Sequence, residues 1–179
     1  SIDLTGTSFN SSFASIDVTG DYAYIANSSN LIIVDISNPV GTPTPIFYSL
    51  GGTFGAKRIV VSNHYAYVLG GKLATVDISD PTNPDTVDVM DLGSMRNDLA
   101  ISGDFIYVAD DGGLYIIEIT DPSSPSVRAV ADLGGSGNSV DAVAVKGHIV
   151  YALTNFNGDD QRLHVVDVSA GSISVLDSI

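Results

Sequence analysis

Apolar residues come in short bursts of four to six along the whole chain, each burst closed by glycine, asparagine, aspartate, serine or proline. Ile16-Asp17-Val18-Thr19-Gly20 alternates with period two, and Gly20-Asp21 is a hairpin signal leading into Tyr22-Ala23-Tyr24-Ile25-Ala26. Asn27 to Asn30 turns the chain into a third strand over 31–36, and a proline-rich turn precedes a fourth over 46–50. The same four-strand order repeats over 59–90, 99–131 and 143–176, with a longer loop, Thr154 to Arg162, in the last unit. No segment carries apolar residues at helical spacing over three turns, so the pattern predicts an all-β protein essentially without helix.

The repeat is anchored by one motif. Ile33-Val34-Asp35-Ile36-Ser37-Asn38-Pro39 returns as Thr75-Val76-Asp77-Ile78-Ser79-Asp80-Pro81 and as Ile116-Ile117-Glu118-Ile119-Thr120-Asp121-Pro122. A worn fourth copy is Val165-Val166-Asp167-Val168-Ser169-Ala170-Gly171. The acids are spaced by 42, 41 and 49 residues, and a period in this range marks a repeated structural unit. Tyr24, Tyr67, Tyr107 and Tyr151 take one equivalent position. Runs such as Leu31-Ile32-Ile33-Val34 are apolar on both faces, which predicts strands covered on both sides. Four antiparallel strands per unit, packed face to face on their neighbours, describe a β-propeller of four blades of about 42 residues; a β-sandwich does not repeat at this period. The blades are placed at 14–50, 57–92, 98–133 and 141–179 in a single domain, with 1–13 as the end of an outer strand and a connection. Four blades close a small ring alone, or two copies close an eight-blade ring as a homodimer, or the chain belongs to a longer propeller.

These motifs resemble the LVIVD repeat over residues 14–179, the fourth copy departing from it at Ala170-Gly171. The resemblance implies propeller blades of a secreted or cell-surface protein of bacteria or archaea. From it comes the expectation of an extracellular or cell-surface location.

Charge narrows the partners. With 21 acids against 7 Lys and Arg the formal charge is −14, which disfavours nucleic acid and anionic membranes. No apolar run reaches the roughly 20 residues a membrane helix needs, so no membrane insertion is expected. Cysteine is absent, which removes disulfides and thiolate chemistry. The chain starts at Ser1 without a leader pattern and is read as a mature form or an excised piece.

Candidate chemistry is sparse. The repeated acids Asp35, Asp77, Glu118 and Asp167 each precede a hydroxyl-bearing turn, where a carboxylate accepts backbone N–H bonds; a residue used once per blade belongs to the blade. Asn155, Asn157, Asp159 and Asp160 are the best metal candidates, because oxygen ligands at alternate positions suit Ca2+. The ligand set is short and its glycine misplaced, so no cofactor is expected and Ca2+ is the one ion considered. His64 and His148 fall at first-hairpin turns and His164 in a third strand. No Gly-x-Ser-x-Gly, His-Glu-x-x-His or phosphate loop is present, so an enzyme is not expected.

The blade-to-blade connections differ most between repeats and share an end of the blade with the second hairpin. They carry Phe9, Asn10, Phe54, Arg58, Arg96, Asn97, Asp98, Asn138 and Asp141. The expectation is a non-enzymatic module that binds a protein or glycan through these loops. The alternatives are an architectural unit completing a larger propeller, and a hydrolase or lyase with a loop-built site at the channel mouth.

Overall fold

Each alternating burst of the sequence becomes one strand of a simple meander. The computed structural model describes residues 13–38, 40–51, 54–93, 96–133, 138–156, 160–169 and 173–179. Residues 1–13, read as a strand end and connection, lie outside it except for Phe13. Two compact units divide between Asp91 and Leu92.

The first unit holds two sheets. β1 (Phe13–Thr19), β2 (Tyr22–Asn27), β3 (Asn30–Asp35) and β4 (Ile46–Ser49) form one, in chain order. β5 (Arg58–Ser62), β6 (Tyr65–Leu69), β7 (Leu73–Asp77) and β8 (Asp85–Met90) form the other. In the second unit, β9 (Arg96–Ser102), β10 (Phe105–Asp110), β11 (Gly113–Glu118) and β12 (Ser126–Ala131) make a third sheet. β13 (Asn138–Lys146), β14 (Ile149–Phe156), β15 (Asp160–Asp167) and β16 (Ser174–Ser178) make the fourth. Every pairing is antiparallel, and no α-helix occurs among the described residues. These are the four four-stranded blades of a β-propeller.

Burial explains the doubly apolar runs. In the first unit Tyr24, Ala26, Leu31 and Ile33 of one blade share a cluster with Ile59, Ala66, Val68, Ala74 and Val76 of the next. In the second unit Tyr107, Ala109, Leu114 and Ile116 meet Val140, Val143, Val150, Ala152 and Val166. The tyrosine-bearing face of one blade therefore packs on the opposite face of its successor. At about 25 cal/mol per Å2 of apolar surface removed from water, this contact is the main stabilising force in each unit.

Two details recur from blade to blade. The first residue after each motif acid, Ile36, Ile78, Ile119 and Val168, donates its amide to the first-hairpin carbonyl of Asp21, His64, Asp104 and His148. These bonds of 2.7–2.9 Å clip the third strand to the first turn. The register also slips by one residue at Val87, Arg128 and Leu176, which places an extra residue in the outer strands β8, β12 and β16. Such bulges twist an outer edge away from pairing with other chains.

The expected loop from Thr154 to Arg162 is shorter than the sequence suggested. β14 runs on to Phe156 and β15 starts at Asp160, with Thr154 paired to Arg162 and Asn155 to Gln161. The polar Thr154 tolerates a buried strand position because its hydroxyl binds His164.

Candidate functional site

The repeated acids hold turns. Asp35, Asp77 and Asp167 accept the amides of Ser37, Ser79 and Ser169 at 2.8, 2.8 and 2.7 Å. Glu118 accepts the Thr120 hydroxyl at 3.1 Å and lies 3.9 Å from the Arg128 guanidinium. Bonds from the Ser37 hydroxyl and amide hold the Asp35 carboxyl below its ordinary range. For Asp77 and Asp167 the serine amide leads, then its hydroxyl, with a smaller contribution from His64 or His148. Each carboxylate is thus committed to its own turn rather than to a shared ring of ligands.

Asn97 and Asp98 join blades. A bulge sets Asn97 out of the β9 ladder, and its amide nitrogen donates to the Val140 carbonyl at 2.9 Å and to Asp111 at 3.2 Å. Asp98 accepts the Val143 amide at 3.2 Å. Ser15 of the first blade does the equivalent for the Ile59 amide at 3.3 Å, and Asp17 accepts the Val61 amide at 2.7 Å. Side chains of one inner strand therefore satisfy the free edge of the next, which is a structural duty. Asp141 is exposed at the bulge of β13 and accepts the Ser139 hydroxyl.

Arg58 is exposed and donates to the neighbouring Lys57 carbonyl at 3.1 Å. Arg96 and Asn138 open β9 and β13, but their side chains lie outside the described residues, as do Phe9 and Asn10 entirely. Of the loop candidates, Phe54 is the one that lines a described cleft.

That site surrounds Phe54. The connection from β4 to β5 is pinned by backbone bonds: Leu50 and Ala56 donate to Ser29 and Ser28, and Lys57 donates to Leu69. The Phe54 carbonyl accepts the Gly71 amide at 2.7 Å. Gly70 lies so close that an added Cβ would meet the Phe54 ring at 2.8 Å. Phe54 is thereby held, almost fully buried, against the turn joining β6 and β7. Beside it opens a cleft of about 300 Å3 lined by Leu50, Gly51, Phe54, Gly71, Lys72 and Val89. Among the described lining residues Lys72 alone is charged, and its ammonium lies 3.5 Å from Asp91 at an exposed rim. Among the described lining residues the side chains are those of Leu50, Phe54, Lys72 and Val89, an apolar wall with one ammonium group. A second cleft of about 240 Å3 lies at the other end of the first blade, by Asp35, Ser37, Asn38, Gly41, Thr42 and Pro43.

Of the metal candidates, Asn157 and Asp159 lie outside the described residues, while Asn155 and Asp160 sit in paired strands. Among the described residues no group of three or more acidic, histidine or cysteine side chains is placed to hold an ion.

One buried polar group escaped the sequence reading. His164 faces inward on β15, its Nε2 2.9 Å from the Thr154 hydroxyl and its Nδ1 2.8 Å from the Ser178 hydroxyl. Burial first, and the Arg162 charge second, push its pKa below the usual 6.5. The unfolded chain therefore takes up a proton that the folded one refuses. Stability from His164 is complete above pH 6.5 and declines as pH falls towards the folded pKa. Thermal unfolding followed between about pH 7 and about pH 5 should show a shallower acid decline for His164→Gln than for the native chain.

Comparison with known proteins places this geometry. The family model described as LVIVD repeat matches residues 12–42, 55–91 and 93–130, more than half of the chain. The fourth blade keeps the fold outside these matches. No curated protein matches by sequence. The computationally designed Ika4 protein is similar in structure, with a TM-score of 0.66 at 13% identity, covering 90% of this chain and 94% of its own. A functionally unknown protein from Desulfotomaculum acetoxidans gives 0.70 at 17% identity, covering 93% of this chain and 56% of its own. Apo AztD from Citrobacter koseri gives 0.64 at 13% identity, covering 93% and 46%. The chain thus spans about half the length of these two natural proteins, and at such identities the likeness is one of fold.

Proposed function

The chain belongs to the LVIVD-repeat family, and from that premise we propose that it is a non-enzymatic interaction module of a secreted or cell-surface protein, binding a protein or glycan through its blade-connecting loops. One observation carries the reading: the Phe54 cleft lies where one blade leads into the next and beside the second hairpin. It combines aliphatic walls from Leu50 and Val89, open glycine backbone at Gly51 and Gly71, and a single ammonium group. Such a lining grips an apolar group through dispersion and burial, while Lys72 offers three donors to a carboxylate or hydroxyl carried beside it. The volume admits a side chain or one sugar ring, not an extended small molecule.

A labelled sample of the chain screened against a glycan microarray and a displayed-peptide library tests this. Lys72→Ala combined with Val89→Ser, both at exposed positions, should weaken each true binder by about tenfold or more and leave the melting temperature within about 2 °C. Binders indifferent to the pair, or no binder at all, would overturn the site.

A further inference from the structure

Charge is unevenly placed within the first unit. Its described lysines and arginines are Lys57, Arg58 and Lys72, and all three stand at one end of the second blade. Arg58 is paired with Leu69, the Lys57 amide donates to the Leu69 carbonyl, and Lys72 closes the turn that follows Leu69. This end carries the Phe54 cleft, and among the described residues of the unit Asp91 is the one carboxylate there. Asp21, Asp35, Asp77, Asp80 and Asp85 gather at the opposite end, by the first hairpins. Asp17 and Asp88 lie midway along their strands. From Leu73, next to Lys72, to Asp77 the strand β7 alone spans about 13 Å, at about 3.3 Å per residue. Salt at physiological strength screens charge over about 8 Å. A ligand at the cleft therefore meets the local cations, and the acids at the far end reach it only weakly.

The lining separates a side chain from a sugar. A sugar ring brings several hydroxyls into the cleft, and each needs a partner once water is removed. Among the described lining residues Lys72 is the one polar side chain. Phe54 is only 7% exposed, so its ring presents no open face for a sugar to stack on. An aliphatic side chain against Leu50 and Val89 leaves no polar group unpaired. The ion pair of Lys72 with Asp91 is exposed on both sides, and such a pair is weak enough to give way to an incoming carboxylate.

We propose that the occupant of the cleft is an acidic peptide segment of a partner protein: one aliphatic side chain enters against Leu50 and Val89, and carboxylates flanking it meet Lys57, Arg58 and Lys72. This rests on the reading of the Phe54 cleft as the binding site and adds the chemistry of the partner. The argument is charge complementarity, since all the described lysines and arginines of the first unit stand at the end that holds its apolar cleft. Opposite charge around an apolar anchor sets which segments bind and how fast they arrive.

A displayed library of random peptides, panned on the full chain, tests it. Enriched peptides should carry net negative charge around a leucine, isoleucine or valine. Synthesised and measured by fluorescence anisotropy, they should lose about tenfold in affinity between about 0.05 and about 0.5 M salt, a readout that needs no variant. Arg58→Gln and Lys72→Gln should each weaken them by about fivefold, and Val89→Ser by a similar factor. Asn83→Asp makes the same change in net charge as Lys72→Gln, but in the exposed turn between Asp80 and β8 at the opposite end of the blade. It should leave affinity within about 1.5-fold. Equal losses for Asn83→Asp and Lys72→Gln would overturn the proposal, since net charge alone would then be read. Neutral or basic peptides, or array glycans, that bind and are lost on Val89→Ser but not on Arg58→Gln would overturn the acidic partner and leave the cleft standing. Acidic binders indifferent to both Lys72→Gln and Val89→Ser, or no binder at all, would overturn the cleft and this inference together.

Discussion

Gly113→Ala should cost about 3 kcal/mol of stability or more and lower the melting temperature by about 10 °C. Gly113 opens β11 opposite Asp110 with φ at +125°, a conformation that L side chains rarely adopt. A Cβ there would sit 2.3 Å from the Ala131 carbonyl oxygen and 3.2 Å from its carbon. Neither atom can rotate away, because Ala131 is backbone-paired to Leu114 at the end of β12. The blade must open its outer strand or change the turn. Opening β12 uncovers Leu114 and Ala131, both members of the cluster between the last two blades. Gly103→Ala separates the two causes. Gly103 also has positive φ, at +57°, but nothing lies within 4 Å of an added Cβ. That substitution pays only the left-handed strain, about 1 kcal/mol. Denaturant unfolding should therefore order the three chains as native, Gly103→Ala, Gly113→Ala; equal losses for the two variants would show that the close approach of Ala131 is not a constraint.

The strands and blades were legible because they rest on short-range rules. Alternation, hairpin glycines and the tyrosine and acid periods each report on local backbone, and all sixteen named strands fall where those signals stand. The bulges at Asn97 and Asp141 left no such signal, since a single slipped residue does not disturb a period of about 40. Those two residues drew attention as irregular loop polars, but their irregularity is that of the inner-strand ladder. Phe54 was placed in a site-bearing loop, and it does line the cleft, yet its near-complete burial depends on Gly70 at the facing turn, a contact between distant segments. Lys72 and Val89 join it only through that packing, so spacing alone could not name them. His164 passed for an ordinary strand residue because its partners, Thr154 and Ser178, come from flanking strands in register. Its one available signal was a histidine set between the apolar Leu163 and Val165 in a strand.

Leucines at one repeat position should differ sharply in what they contribute. Leu31, Leu73, Leu114 and Leu163 each stand across the second hairpin from Ala26, Leu69, Ala109 and Leu153. The first three are fully buried, whereas Leu163 is only partly covered. Leu31→Ala removes three carbons from the cluster of Tyr24, Ile33, Phe54 and Val68 and leaves a void that β-sheet backbone on both sides cannot collapse to fill. The expected loss is about 3 kcal/mol, the sum of lost transfer energy and the cavity. Leu163→Ala lies on the open face of the last blade, where water replaces the missing carbons and no cavity forms; about 1 kcal/mol is expected at high dilution. Val40→Ala, at a residue 91% exposed, should change stability by less than about 0.5 kcal/mol and calibrates the measurement. Equal losses for the two leucines would mean that Leu163 is as fully enclosed as Leu31.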